Sequence, residues 1–195
     1  MTEPREPLAP RIATDRAAVP VGPADLADGL EDVCAKDVAL AGAHVGRLGM
    51  LDCAFERGDL SGLDAEGSSL VRVALIGSRL TGLRASGILL RDVLLRDCRM
   101  DLATLAGARL ERVTFERCDL RELDLQDARL HDVRFLGSDL SGAILHGADV
   151  SRTELRDCSY ADLRGIDGLR GATLAPADAM ELAPALAAAL GIRVG

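Results

Sequence analysis

The sequence predicts an all-β solenoid, a parallel β-helix with coils of about twenty residues, followed by a short α-helical cap. Two periods carry this prediction. A large apolar residue recurs at every fifth position over most of the chain, and the sequence is similar to itself every twenty residues. The composition agrees with a narrow, repetitive interior, because aromatic residues make up only 2% of the 195 residues and Trp is absent.

The period of five is clearest in "VTFERCDLRELDLQDARLHD", residues 113–132. Its apolar centres are Phe115, Leu120, Leu125 and Leu130. An α-helix needs a spacing of three to four residues and a β-strand a spacing of two, so a spacing of five fits neither. The same register continues from Leu40 to Tyr160, and the hydroxyl of Tyr160 is its one polar group.

A second inward position lies two residues before each centre, where residues are mostly small or β-branched. Charged residues such as Glu116, Arg117 and Asp119 lie between the two inward classes and are poor core candidates. Each five-residue unit therefore has two residues in and three out. Gly is frequent two residues after a centre, which predicts a tight corner with positive φ at that position.

The period of twenty appears when segments starting at residues 53, 73, 93, 113 and 133 are aligned. Four units of five make one coil with four sides. Coils of this kind stack at the parallel-strand spacing of roughly 4.8 Å, so six or so coils would give a rod about 30 Å long.

The two ends differ from the repeats. Residues 1–23 contain five prolines and predict a disordered or loosely attached tail, before a β-helix over 24–175 with a short cap at "ADLADGLED" near its start. Residues 176–195 have helical spacing, with Pro176 suited to a helix start and Gly191 to its end, while Pro184 predicts a break or a kink that gives two short helices. This segment is interpreted as a cap over the last coil or as a dimer interface, and both hold if the cap leaves an apolar face exposed.

The units "GADVS", "CDLRE", "SDLSG" and "ADLRG" resemble those of the pentapeptide-repeat proteins, over roughly residues 33–175. The resemblance implies a right-handed quadrilateral parallel β-helix. The MfpA and Qnr branch of that family consists of DNA-like rods that bind DNA gyrase and modulate fluoroquinolone action, so the resemblance also implies gyrase as a candidate partner.

Charge and hydropathy restrict the class of protein. The net charge of −8 and the sequence pI near 4.9 argue against direct nucleic-acid binding. No stretch of about 18 apolar residues occurs, and the N-terminal twenty residues contain no apolar signal region. We expect a cytoplasmic protein with no membrane partner.

No motif for catalysis, a cofactor or a metal is present, so the sequence predicts a non-enzymatic protein. Cys98 and Cys118 would lie close enough across adjacent coils for a redox or metal cluster, but small inward positions select Cys for its size, and packing is the favoured interpretation. Cys34 lies off the inward columns, which leaves a reactive thiol open there. The three histidines are too dispersed to form a metal site.

Two neighbouring sides of the predicted rod are net acidic, and we call their carboxylates the acidic flank. Its members are Asp59, Asp64, Glu66, Asp101, Asp119, Glu122, Asp124, Asp127 and Asp139. Arg residues are interleaved with these acids, which favours a rigid interaction or scaffold rod whose flank binds another protein. The alternative is a DNA mimic whose carboxylates replace phosphates on DNA gyrase.

Overall fold

The computed structural model describes residues 4–11 and 18–192. This part of the chain forms a parallel β-helix of about seven turns with about twenty residues per coil, closed by one C-terminal helix. The predicted fold class is therefore confirmed. A 3-10 helix, Pro23–Leu26, precedes the first coil, and its Leu26 is fully buried.

The strands follow one another along a single ten-stranded parallel sheet. They are β1 (Leu30–Glu31), β2 (Cys34–Lys36), β3 (Gly49–Glu56), β4 (Ser69–Ile76), β5 (Leu89–Arg96), β6 (Arg109–Glu116), β7 (Arg129–Leu136), β8 (Asp149–Ser151), β9 (Glu154–Arg156) and β10 (Thr173–Leu174). From β3 to β7 each strand residue except the corner residue, such as Asp52 or Arg72, pairs with the residue twenty positions later, as in Val93 with Val113. The other two sides of each coil are joined by single parallel bridges, such as Asp59 with Arg79.

The two-in, three-out interpretation is confirmed by the core. Both inward classes are buried through the central coils, and Phe115 and Leu120 are fully buried. The rings of Phe115 and Phe135 stack across adjacent coils with centroids 5.0 Å apart. Stacking of like on like is what a strict twenty-residue register imposes, because each inward residue meets its counterpart in the next coil.

The corners of the coil have positive φ at every fifth residue from Asp52 to Asp162. The glycines predicted to occupy corners do so. At Gly165, which also has positive φ, glycine is required because a Cβ there would collide with the backbone of Leu145 and His146. Elsewhere the corner is occupied by Asp, Arg, Glu or Leu, each of which accepts a backbone conformation that costs on the order of 1 kcal/mol.

The C-terminal helix α1 (Pro176–Ala189) is a single helix, so the prediction that Pro184 divides it in two is wrong. Proline removes one backbone N–H, which leaves the carbonyl of Met180 without its usual helical donor. Met180 is 78% exposed, and water can reach this side of the helix. The loss of one hydrogen bond therefore does not end the helix.

Helix α1 covers the last coil through Asp178, which is buried. Its carboxylate accepts hydrogen bonds from the backbone N–H groups of Asp157 and Cys158, at 3.0 and 2.9 Å, and from the Tyr160 hydroxyl at 2.7 Å. Leu182 is buried beside it. These donors belong to a coil that has no following coil to bond, so α1 satisfies an otherwise open edge.

Of the N-terminal segment for which the sequence predicts a loosely attached tail, the structure describes residues 4–11 and 18–23, and the rest lies outside the described residues. Residues 4–11, which we call the N-terminal strap, lie along the β-helix and bond three of its coils. The backbone N–H groups of Arg5, Leu8 and Arg11 donate to carboxylates of the rod. The strap has no helix or strand of its own.

Candidate interaction surface on the acidic flank

The acidic flank lies on the two sides of the coil that carry single bridges rather than long strands. Asp59, Asp119 and Asp139 belong to one column of parallel bridges, and Asp64 and Asp124 belong to the next. Glu122 and Asp127 are at corners with positive φ and are exposed. The twenty-residue register thus brings acids from separate repeats onto one continuous surface.

Five of the nine flank carboxylates form ion pairs with Arg. These are Asp59 with Arg79 at 3.6 Å, Asp64 with Arg84 at 3.0 Å, Asp101 with Arg99 at 2.9 Å, Asp119 with Arg121 at 2.7 Å, and Asp139 with Arg121 at 4.0 Å. Hydrogen bonds from Arg121 lower the pKa of Asp119, and those from Arg84 lower the pKa of Asp64. Much of the negative charge inferred from the sequence is therefore neutralised locally.

Asp101 contributes least to the exterior because it is only 7% exposed. Burial by itself would raise its pKa, but Arg99 and the hydroxyl of Thr81, which donates at 2.6 Å, outweigh burial and hold the pKa below its usual value. Asp101 is an internal member of the surface network. A partner that contacts this flank would meet Arg99, which is more than half exposed, before it met Asp101.

Four flank carboxylates have no ion pair within the described residues. They are Glu66, Glu122, Asp124 and Asp127. Three of them lie within one coil, between residues 122 and 127, and form the strongest uncompensated negative patch of the flank. Asp124 is half-buried and accepts hydrogen bonds from the backbone and side chain of Gln126, whereas Glu122 and Asp127 project into solvent.

On the opposite side of the coil the sequence indicates a nearly balanced set of Arg and acidic residues, but sequence reasoning missed that six of them form one paired and partly buried column, which we call the Asp52 corner. Asp and Arg alternate along it at positions 52, 72, 92, 112, 132 and 152. Each Arg holds the Asp of the preceding coil with two hydrogen bonds, at 2.7 and 2.6 Å for Arg72 on Asp52. The signal was available in the sequence as an exact alternation of sign at intervals of twenty.

The aspartates of the Asp52 corner are buried at 6%, 3% and 1% exposure for Asp52, Asp92 and Asp132. Hydrogen bonds from Arg72 and from the N–H of Arg11 lower the pKa of Asp52 to about 2. Arg152 and the N–H of Arg5 lower the pKa of Asp132 to about 2 as well. These are the outward residues for which charge wrongly predicted exposure, because bidentate pairing lets a carboxylate be buried.

Cys98 and Cys118 are neighbours whose thiols interact across adjacent coils, but the cysteines and histidines form no larger cluster in the part of the chain that the structure describes. All five cysteines are free, four of them are buried, and Cys34 is half-buried in β2. The thiol of Cys98 donates to the carbonyl of Leu75, at 3.3 Å. Among residues 4–11 and 18–192, no group of three or more His, Cys, Asp or Glu is arranged to hold a metal ion.

No helix in the described part of the chain is long and apolar enough to span a membrane.

The fold and its ordered columns of outward side chains define a solenoid of tandem five-residue repeats. The sequence model of the family "Pentapeptide repeats" matches in eight copies, at residues 86–121, 98–135, 124–159 and 137–167. Residues 86–167 of the chain are pentapeptide repeats, as the sequence units indicated.

Three solved structures illustrate the similarity. Trypsin-treated QnrB1, a plasmid-mediated fluoroquinolone resistance protein, is 19% identical with a TM-score of 0.39, over 86% of this chain and 91% of that chain. HetL, a regulator of heterocyst differentiation from the cyanobacterium Nostoc sp. strain PCC 7120, is 19% identical with a TM-score of 0.31, over 74% and 86%. Rfr23 from the cyanobacterium Cyanothece 51142 is 16% identical with a TM-score of 0.23, over 65% and 90%. No curated protein matches the sequence.

Proposed function

We propose that this protein is a non-enzymatic interaction rod of the cytoplasm, which binds a protein partner through its acidic flank. The observation that carries the proposal is the patch formed by Glu122, Asp124 and Asp127, three carboxylates on one coil without ion pairs within the described residues. Free carboxylates beside paired ones give a surface with both a net charge and a fixed pattern, which selects partners by complementarity.

The backbone supports this role because it holds the patch rigidly. The N–H of Glu122 donates to the carbonyl of Ser141 at 2.9 Å, and the N–H of Asp127 donates to the carbonyl of His146 at 3.0 Å. A surface that is ordered before binding loses less conformational entropy when a partner docks. A partner protein that fits this surface has a basic patch opposite the three carboxylates. It also has hydrogen-bond acceptors opposite the exposed guanidinium of Arg121.

Modulation of DNA gyrase as a DNA mimic is the second candidate, and the same unpaired patch favours it. A DNA mimic needs an extended run of uncompensated charge, because duplex DNA carries one negative charge per ≈ 1.7 Å of its axis. Five of the nine flank carboxylates are instead paired with Arg. The surface therefore supports a protein-specific scaffold more strongly than it supports mimicry of phosphates.

The experiment neutralises the patch with the triple variant Glu122→Gln, Asp124→Asn and Asp127→Asn. Its matched control is Asp37→Asn, Asp97→Asn and Asp157→Asn, which changes the net charge equally at a different corner of the coil. Purified rods are titrated into a DNA gyrase supercoiling assay at low and moderate salt, with and without a fluoroquinolone. The same rods, immobilised, are used for affinity capture from a cell extract.

Inhibition of gyrase or protection from the drug near stoichiometric concentrations, lost in the patch variant and retained in the control, would establish the gyrase role. The scaffold role predicts no effect on gyrase and a specific captured protein that the patch variant no longer retains. Capture that is equal for both variants would contradict the acidic flank as the binding surface.

We also propose that two rods pair end to end through α1 as a homodimer. Support comes from the exposed apolar side chains of Met180 in α1, at 78%, and of Leu190, the residue that follows α1, at 76%. Monomeric proteins seldom leave several large apolar groups exposed on one short element. The test of this pairing is given in the Discussion.

A further inference from the structure

The N-terminal strap contacts the Asp52 corner in an exact register. The N–H of Arg5 donates to Oδ1 of Asp132 at 3.2 Å, that of Leu8 to Oδ1 of Asp92 at 3.1 Å, and that of Arg11 to Oδ1 of Asp52 at 2.8 Å. Each step of three residues along the strap thus corresponds to forty residues of the rod, which is two coils. The strap runs in the direction opposite to the growth of the β-helix.

This register follows from two repeat lengths that match. A polyproline II chain rises about 3.1 Å per residue and repeats every three residues, which gives about 9.3 Å per repeat. Two coils stacked at roughly 4.8 Å give about 9.6 Å. A polyproline II segment can therefore place one backbone N–H opposite every second coil over many coils without strain.

The prolines of the strap follow the same period of three. Pro4 is buried and Pro7 and Pro10 are half-buried, whereas the residues at positions 5, 6, 8, 9 and 11 are exposed. Leu8 is 57% exposed. Prolines therefore face the rod, and Pro fixes the φ value that polyproline II requires. Two of the exposed side chains add to the contact, Glu6 through its ion pair with Arg134 at 3.0 Å and Arg11 through the attraction of its charge for Asp52.

The rod side of the contact is ordered before any segment docks. Each acceptor carboxylate is fixed by two hydrogen bonds from an Arg of the next coil, and a fixed acceptor costs little entropy when it takes a third bond. Arg134, which is 16% exposed, adds a donor aimed at the strap and bonds the carbonyl of Pro4 at 2.6 Å. Pro7 lines a crevice together with Leu94 and Thr114 of the rod.

We propose that the Asp52 corner is a recognition groove for polyproline II segments of a partner protein with Pro at every third position, and that the strap is its tethered competitor. The contacts recognise a backbone shape, a proline period and an N–H after each proline, and the three hydrogen bonds to the carboxylates do not depend on which side chain follows. Any segment with this pattern can take the place of the strap. This inference does not depend on the acidic flank, which is on the opposite side of the coil.

Tethering makes the strap an effective competitor although its contacts are few. A short linker gives an effective concentration in the millimolar range. A free segment with the same contacts must exceed that concentration to displace the strap. We therefore expect the groove to bind a free segment well only when the strap is released.

The experiment releases the strap within the full chain through the triple variant Arg5→Pro, Leu8→Pro and Arg11→Pro. Proline keeps the polyproline II conformation but removes the three N–H donors. The control is Ala9→Pro, which removes an N–H that makes no hydrogen bond within the described residues. The probe is a fluorescein-labelled peptide with the sequence of residues 3–11, and its binding is measured by fluorescence anisotropy.

We expect the released variant to bind the peptide at least about tenfold more tightly than the unaltered chain or Ala9→Pro. A peptide with one Ala inserted after its second Pro should bind at least about tenfold more weakly, since the period of three is broken. Equal binding to the released and unaltered chains, equal binding of the two peptides, or no binding to any chain would overturn the proposal. Oligomers of the unaltered chain that vanish in the released variant would assign the groove to the strap of a second copy, and would likewise overturn it.

Amide hydrogen exchange of the unaltered chain, followed by NMR, provides a measurement that needs no variant. The amides of Arg5, Leu8 and Arg11 should exchange more slowly than those of Glu6 and Ala9. Equal exchange at all five positions would contradict the docked strap. The patch variant at Glu122, Asp124 and Asp127 should bind the peptide as the unaltered chain does, so this test and that of the acidic flank can fail separately.

Discussion

At the scale of single residues, the burial of aspartate decides how the exterior of the rod is built. A carboxylate can leave water when a guanidinium offers two parallel hydrogen bonds, and Asp132 with Arg152 is the most buried example, at 2.7 and 2.8 Å. The sequence correctly separated inward from outward positions by polarity at almost every step. It failed at the Asp52 corner because single-residue hydrophobicity takes no account of a partner twenty residues away.

The lowered pKa values of Asp52 and Asp132 predict loss of stability in acid. A carboxyl whose folded pKa lies below its unfolded value stabilises the fold above about pH 4, and this contribution is lost as the pH falls to about 2. We expect about 1 kcal/mol from each group, allowing for solvent near the pair. Urea denaturation between pH 5 and pH 2 measures it.

The variant Asp132→Asn should show a shallower decline of the free energy of unfolding across this pH range. Asp97→Asn is the control, because Asp97 also pairs with an Arg but lies exposed at another corner. If the two variants and the unaltered chain lost stability in parallel, the buried pair would not be the source of the acid sensitivity.

At the scale of elements, helix α1 completes the last coil by supplying a hydrogen-bond acceptor in the place where a further coil would supply one. Ser78 and Ser138 accept the backbone N–H of the residue twenty positions earlier, at 3.1 Å in both cases. Asp178 is in the same column and does the same for Cys158, although it belongs to α1. The register of the β-helix thus extends for one more contact into a different secondary structure.

Removal of this contact through Asp178→Ala should destabilise the rod by about 3 kcal/mol, because two N–H groups and the Tyr160 hydroxyl lose their acceptor. Glu181→Ala is the control, since Glu181 is exposed and accepts one N–H, from Tyr160. Chemical denaturation gives the difference in stability, and hydrogen exchange at Asp157 and Cys158 locates it. A loss no greater than that of Glu181→Ala would show that α1 does not hold the last coil.

The sequence predicted this element in part. Pro176 marked its start correctly, and the spacing of apolar residues indicated a helix. The continuity through Pro184 could not be predicted, since it depends on whether solvent reaches the freed carbonyl, and burial of that side is a tertiary property. The role of Asp178 was likewise hidden, because the apolar register had already slipped after Tyr160.

At the scale of the whole molecule, the exposed end of α1 is the surface through which we propose that two rods pair. If two rods pair through it, the double variant Met180→Glu and Leu190→Glu should convert a dimer into a monomer, because charges cannot be buried unpaired. Light scattering coupled to size exclusion measures the mass. The control is Leu102→Glu, which changes an apolar residue 55% exposed on a corner of the rod. Equal masses for the unaltered chain and the double variant would rule out this interface.

The overall architecture was the most predictable property, because it depends only on local repetition. Twenty-residue self-similarity fixes the coil, and each coil needs only its neighbours. The surfaces were less predictable. Placing Asp119 beside Arg121 requires only the repeat, but knowing that the pair neutralises the flank requires distances. The contact between the N-terminal strap and the Asp52 corner joins residues as many as 127 positions apart and leaves no mark in the repeat itself.

The alternation of Asp and Arg at the Asp52 corner also restricts how the rod could change in length. Loss or duplication of one twenty-residue coil would preserve the β-helix register, as in any solenoid. It would, however, bring an Arg opposite an amide of the strap where an Asp is needed. Loss or duplication of two coils would again place an Asp opposite that amide. Between Asp52 and Asp132, coils can therefore be added or removed only in even numbers if each of the three strap amides is still to face an Asp carboxylate.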